Sequence, residues 1–221
     1  HPQAKNGGAI EYTGRLNELL SRGKRLRTRH TYTWKGPQGE EILHERRTLL
    51  FGAESDLRWV DTKFELTALQ EEVVFGDTKE GTFAMRLHPA LRLKGEVATG
   101  SILNAAGDKD GKVWGERAAW VHYSGTIDGK NVGVAIFEHP DNFRHPTWWH
   151  ARDYGLVAAN PFGARAFEGG DTKSGRFVLK QGETLVLRYR IWTHSGKRSA
   201  KELAAAFKVS ARRFGVRVVA S

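Results

Sequence analysis

The 221-residue sequence contains no cysteine, one methionine and six prolines. Without cysteine there is neither a disulfide framework nor a thiolate metal site, and the redox character of the compartment stays open. No apolar run approaches the ~18 residues of a membrane-spanning helix, so no membrane partner is expected. The chain starts at His1 and its one methionine is Met85. A segment removed ahead of it, such as a signal peptide, is therefore expected, with a periplasmic or secreted location. Acid is also short relative to base: 35 Lys and Arg against 25 Asp and Glu give a net charge of +10. Such a surplus attracts polyanions. No recognition helix, zinc finger or RNP pattern accompanies it, so nucleic acid is not the expected partner. The densest basic run is Arg22, Lys24, Arg25, Arg27 and Arg29, the last three spaced to share one strand face. It reads as a solvated sheet face, with docking of an acidic glycan as the alternative.

What is present is strand signal almost throughout. Short runs of Val, Ile, Thr, Phe and Trp are broken by Gly, Asp and Asn, as in Arg27 to Trp34, a turn over Lys35 to Gly39, then Ile42 to Phe51. Phe64, Leu66 and Ala68 alternate with Lys63, Glu65 and Thr67, and Leu185, Leu187, Tyr189 and Ile191 alternate with Val186, Arg188, Arg190 and Trp192. Each strand is expected to have one wet face. The pattern predicts an all-β, antiparallel β-sandwich in a single domain over residues 1–221, with one C-terminal helix. That helix spans Ser199 to Phe214: Ser199 and Glu202 form a capping box, and Ala200, Leu203, Ala204, Phe207, Ala211 and Phe214 make an apolar stripe. It is expected to cover a sheet edge or end.

One hairpin can be registered from the sequence. Asp128-Gly129 signals a two-residue type I′ turn that pairs Ile127 with Lys130, Tyr123 with Val134, Val121 with Ile136 and Trp120 with Phe137. Val121, Tyr123, Val132, Val134 and Ile136 then share an apolar face, and Trp120, His122, Ser124, Ala135, Phe137 and His139 share the other. A face mixing aromatic and titratable groups is read either as ligand-lined or as a second, mixed core, and the first reading is preferred.

The residues that follow carry the strongest functional signal. Glu138 to Tyr154 packs three His, two Arg, two Trp and three carboxylates into one loop interrupted by two prolines. A loop has little structural reason to concentrate so many polar groups unless they converge on a ligand. A second polar cluster, Gly76 to Thr82, precedes a strand with Phe83, Met85 and Leu87 inward and Glu80, Thr82, Arg86 and His88 outward; it reads equally as a turn capped by Asp77. Glu45, Arg46 and Arg47 read as a cross-strand ion pair.

Phe75 to Arg86 (FGDTKEGTFAMR), Trp114 to Gly125 (WGERAAWVHYSG) and Val134 to Gly163 (VAIFEHPDNFRHPTWWHARDYGLVAANPFG) together resemble, in order and over nearly the whole chain, the bacterial family of unknown function labelled "methane oxygenase PmoA". The resemblance implies a galactose-mutarotase-like supersandwich in proteins found with sugar-metabolising partners. It also implies an N-terminal, His-rich section with no counterpart here, so part of the site and some strands are expected to be missing from this chain. Methane oxidation itself does not fit, because the membrane oxygenase subunit is a helical transmembrane protein and this sequence has no spanning segment.

The chemistry expected is acid–base work on a sugar or glycoside, of hydrolase, epimerase or lyase type. His139, His145 or His150 would act as acid and Glu80 or Asp153 as base. Trp120, Trp148 and Trp149 would stack on the ring; Arg117, Arg144 and Arg152 would hold a substrate carboxylate or orient the catalytic carboxyl group. Asp77, His122, Asn142 and Tyr154 complete the expected contacts to a carbohydrate, anionic or neutral. No cofactor is expected. Two alternatives stand beside this reading: a non-catalytic carbohydrate-binding module, and a metal-dependent enzyme using His139, His145, His150 and Asp153, although none of these shows the i, i+4 pairing of a helical zinc site.

Overall fold

The computed structural model describes residues 7–20, 25–170 and 174–213. The readings that rest on Arg22, Lys24 and Phe214 lie outside those residues. In chain order the strands are β1 (Ala9–Leu20), β2 (Arg25–Lys35), β3 (Glu41–Glu54), β4 (Leu57–Ala68), β5 (Glu72–Phe75), β6 (Phe83–Arg86), β7 (Ser101–Asn104), β8 (Trp120–Ile127), β9 (Lys130–Glu138), β10 (Trp148–Ala151), β11 (Leu156–Asn160), β12 (Phe177–Lys180) and β13 (Thr184–Ser195). The α-helices are α1 (Ala164–Glu168) and α2 (Ala200–Arg213). An eight-stranded sheet, β1-β2-β3-β4-β13-β9-β8-β7, stands beside a three-stranded sheet, β10-β11-β6, and a two-stranded one, β12-β5. All pairings are antiparallel.

Period-two alternation explains how the layers pack. On β4 and β13 the inward residues Leu66, Ala68, Leu185, Leu187 and Tyr189 join Val121, Tyr123 and Ile136 of the β8–β9 hairpin in one buried cluster. The same cluster takes Trp149 and Ala151 from β10, Val157 and Ala159 from β11, and Val73 and Leu179 from the two-stranded sheet. One core thus lies between the large sheet and the two small ones, which makes the protein an antiparallel β-sandwich. Phe83 of β6 stacks on Tyr189 across the layers, with ring centroids 4.7 Å apart.

The hairpin forms in the predicted register, from Trp120 opposite Phe137 to Ile127 opposite Lys130. Asp128 and Gly129 both take positive φ, as the type I′ turn requires. What covers the other hairpin face differs from the preferred expectation. Trp120, Ala135 and Phe137 are buried with Leu203 of α2, and Trp192, Ala206 and Phe207 pack against them. The mixed face is therefore a second core under a helix. For the same reason α2 covers the outer face of the large sheet instead of an edge or end. Its capping box does form: Ser199 N donates to Glu202 Oε2 and Glu202 N to Ser199 Oγ. Nor is the outer face of β13 wholly wet. Arg190 is buried there, bidentate to Asp61 and donating from Nη1 to Ser210 Oγ of α2.

Candidate active site

Glu138 ends β9 on the inner face, where its cross-strand neighbour is Tyr189. It has no exposed surface. Its Oε2 lies 2.8 Å from His145 Nδ1 and accepts from Thr147 N at 2.8 Å. Burial pushes the Glu138 carboxyl above its ordinary range, while the hydrogen bonds from His145 and Thr147 pull it back. His145 keeps a fifth of its side chain exposed. With Nδ1 engaged by the carboxylate, its remaining nitrogen, Nε2, is left as the one able to accept a proton. Glu138 Oε1, Thr147 Oγ1 and Tyr189 OH are buried with no hydrogen bond inside 3.5 Å among the described residues, with the side chains of Asn142 and Thr82 the polar neighbours of Glu138 and Tyr189. A buried polar atom left without any partner costs roughly 1–3 kcal/mol. His139 lies beside this pair. Burial holds its imidazole below the usual range, with Arg188 and His145 adding to the effect and Asp141 opposing it.

The remaining candidates separate. Along β10 the side chains alternate, so Trp149 points into the core while Trp148 and His150 lie on the outer side of the three-stranded sheet. His150 Nδ1 accepts from Trp114 Nε1 at 3.2 Å, and the rings of Trp114 and Phe167 stand 6.2 and 6.3 Å from its own. Burial lowers its proton affinity, and the charge of Arg152 lowers it further, against the nearby Glu80. The turn carrying Glu80 is brought there because Thr82 N donates to Ala159 O and Asn160 Nδ2 to Thr78 O. Glu80 is thus near enough for its charge to act on His150, without a direct hydrogen bond or ion pair between them among the described residues. Tyr154 is exposed between Arg86 and Arg152, each guanidinium about 5.5 Å from its ring.

Several expected roles are corrected by what the side chains touch. Trp120 and Trp149 are core residues, and the Trp149 indole donates to Ala118 O. Trp148 is buried too: Arg117 lies 4.4 Å over its ring and its Nε1 donates to Glu168. None of the three presents an open stacking face. Arg117 is occupied with Pro146 O and Arg144 O, and Arg144 donates to Pro161 O, Gly175 O and Arg176 O. Both guanidiniums tie the loop backbone down. Asn142 brackets the backbone of Arg188, accepting from its N–H and donating to its carbonyl. His122 is buried against His194, and Asp153 pairs with Lys94 at 2.9 Å, away from the Glu138–His145 pair. Asp77 caps no local turn; its Oδ2 accepts from Arg165 N and Gly175 N, far along the chain. Glu45 pairs with Arg47 on its own strand and accepts from Trp34 Nε1 on the next. Among the described residues no group of three His, Asp or Glu is arranged to hold a metal ion, so His139, His145, His150 and Asp153 do not form one ligand set.

Comparison with known proteins places the chain on the family level. Residues 1–208 match the "Family of unknown function (DUF6807)". The chain belongs to the DUF6807 family. No functionally curated protein matches the sequence. Among solved structures, this DUF6807 chain is similar to the Slr1438 protein of Synechocystis sp. PCC 6803, with 9% identity, a TM-score of 0.37, and coverage of 85% of this chain and 66% of that one. It is similar to the GH36 α-galactosidase AgaA of Geobacillus stearothermophilus, with 8% identity, a TM-score of 0.36, and coverage of 87% and 29%. It is also similar to an Escherichia coli K12 protein assigned as an aldose 1-epimerase, with 12% identity, a TM-score of 0.35, and coverage of 86% and 69%. The chain therefore spans under two thirds of the length of the first two structures. Likeness of this order says nothing about activity, which resides in sites.

Two residues, one in the Glu138–His145 pair and one beside His150, escape the sequence reading. Glu138 falls in the polar loop without an assigned role, because it closes an alternating strand on the apolar face where a carboxylate is least expected. A carboxylate at an inward position, seven residues before a histidine, is the signal that would have found it. Trp114, which fixes the His150 ring, sits in a loop and has no periodic signal.

Proposed function

We propose that this DUF6807 protein acts on a carbohydrate by acid–base chemistry centred on His145. The observation that carries the reading is the buried Glu138 carboxylate bonded to His145 Nδ1, with a backbone N–H on the same oxygen. In this arrangement Nε2 takes a proton from a sugar hydroxyl or C–H, Glu138 stabilises the imidazolium that forms, and the proton is returned in the second half of the reaction. Glu138 is a positioning residue here, and His145 the group that meets the substrate. The buried Thr147 hydroxyl, Tyr189 phenol and Glu138 Oε1 supply further polar groups at the same place. The three motifs that resemble the PmoA-labelled family support a sugar as the substrate class.

The test is a panel of free sugars, uronides and aryl glycosides, followed by NMR for anomeric exchange, elimination or hydrolysis. Wild type is expected to turn over at least one of them. His145→Ala should lower that rate by about 10²-fold or more while changing affinity only a few-fold. A sugar bound but never turned over identifies a binding module and overturns the reading. So does a His145→Ala protein as active as wild type, or a panel in which nothing binds.

A further inference from the structure

The outer face of the large sheet ends, beyond the α2 core, in a cleft of about 380 Å³. Ser101 of β7, Ser124 and Thr126 of β8, Asn131 of β9, and Lys197 and Arg198 of the loop entering α2 line it. Its place in the fold is remote from the Glu138 carboxylate: Gly133, the cross-strand partner of Ser124, lies five residues along β9, or about 17 Å. No aromatic ring and no carboxylate lines the cleft, so it is not built to stack a neutral sugar ring or to hold a cation.

The polar groups on its walls are unsatisfied in one sense only. Lys197 forms no ion pair among the described residues, and the side-chain amide of Asn131 and the hydroxyl of Thr126 have no hydrogen-bond partner there. Ser101 and Ser124 share one hydrogen bond at 3.0 Å, which leaves one of the two hydroxyl protons to donate elsewhere. Arg198 is held by Asp56 through Nη2 and faces Glu202 through Nη1, yet its buried Nε has no acceptor. The adjacent carboxylates, Asp56 and Glu202, are thus engaged by Arg198, while the Lys197 ammonium, the Asn131 amide and two hydroxyls remain as donors. A wall of donors beside the one uncompensated ammonium, Lys197, is the complement of an oxyanion.

We propose that this cleft is a binding site for a small oxyanion-bearing molecule, a sugar carboxylate or a phosphate ester, independent of the His145 reading. The volume exceeds that of an inorganic ion, so the anionic group seats at Lys197 and Arg198 while Asn131, Thr126 and the serine pair take the hydroxyls of the body that carries it. Calorimetric titration of the full chain with inorganic phosphate, glucuronate, glucose 6-phosphate and glucose, with backbone NMR shifts as the map, tests this. Saturable binding of at least one sugar anion is expected, with shifts at Ser124, Thr126 and Asn131, and glucose is expected not to bind there. Which anion binds tightest separates carboxylate from phosphate. Lys197→Ala, an exposed position that does not threaten the fold, should weaken it about tenfold or more, and Thr126→Val should weaken it less. Glucose binding as tightly as the anions, inorganic phosphate binding as tightly as both sugar anions, shifts that map elsewhere, absence of saturation, or Lys197→Ala with unchanged affinity each overturns the proposal.

Discussion

His122 and His194 show how a single hydrogen bond fixes a protonation state. Their Nε2 atoms lie 3.0 Å apart, and the rings stack at 5.3 Å. His194 Nδ1 faces the carbonyls of Ser195 and Gly196, so it carries a proton and leaves Nε2 as the acceptor for His122 Nε2–H. Gly133 lies between them because a Cβ there would stand 2.3 and 2.5 Å from the two Nε2 atoms. Burial, then the His194 charge, lowers the His122 pKa from 6.5 to about 4. Burial also lowers that of His194, with Arg198 adding to it and the carbonyl contacts and Asp56 opposing. The folded state therefore favours the neutral ring more than the unfolded chain does. The stability from His122 is fully present above pH 6.5 and is lost as pH falls toward 4, up to about 3 kcal/mol. Denaturant titrations at stepped pH should show that decline in wild type, and His122→Gln, which keeps a donor but does not titrate, should flatten it. An equal decline in both proteins would remove the pair as its cause.

At the scale of elements, α2 is where a short amphipathic pattern decides the fate of a whole sheet face. Leu203 has no exposed surface and sits among Trp120, Ala135 and Phe137. Leu203→Ala is expected to cost about 2–5 kcal/mol, as buried leucines do when the site cannot collapse. The urea midpoint should fall with an unchanged m-value, and a loss under about 1 kcal/mol would show that the helix is not anchored there. The Glu138–Tyr154 loop is the opposite kind of element. It has little regular structure, and Arg144, Arg117 and Asn142 hold it by backbone carbonyls and N–H groups that no sequence pattern announces.

For the whole molecule the net charge of +10 has a testable consequence. Self-repulsion of so many cations opposes the compact state. Raising ionic strength from about 0.01 to about 0.15 M shortens the screening length from about 30 to about 8 Å, so the thermal midpoint should rise. A falling midpoint would mean that the surface pairs, such as Arg198 with Asp56 and Lys35 with Glu11, outweigh the net repulsion, contrary to their usual small worth.

The sequence alone determined what period and turn chemistry encode. The strand alternation of Phe64 to Ala68 and Leu185 to Ile191, the Asp128-Gly129 hairpin register and the Ser199 capping box are local facts, because neighbours in sequence are neighbours in space. That a polar loop of His, Trp and Arg was unusual was legible too. Which of its members meet was not. Trp148 and Trp149 differ by one residue and lie on opposite faces of a strand, and His145 finds Glu138 only because the chain reverses over residues 140–146, where Asn142 N bonds to His139 O and His145 N to Asn142 O. Burial under α2 decided that Trp120 and Phe137 are core, since a mixed face looks the same in sequence whether a ligand or a helix covers it. Contacts between distant segments are set by which apolar surfaces can close together, and that choice is made by the folded chain as a whole.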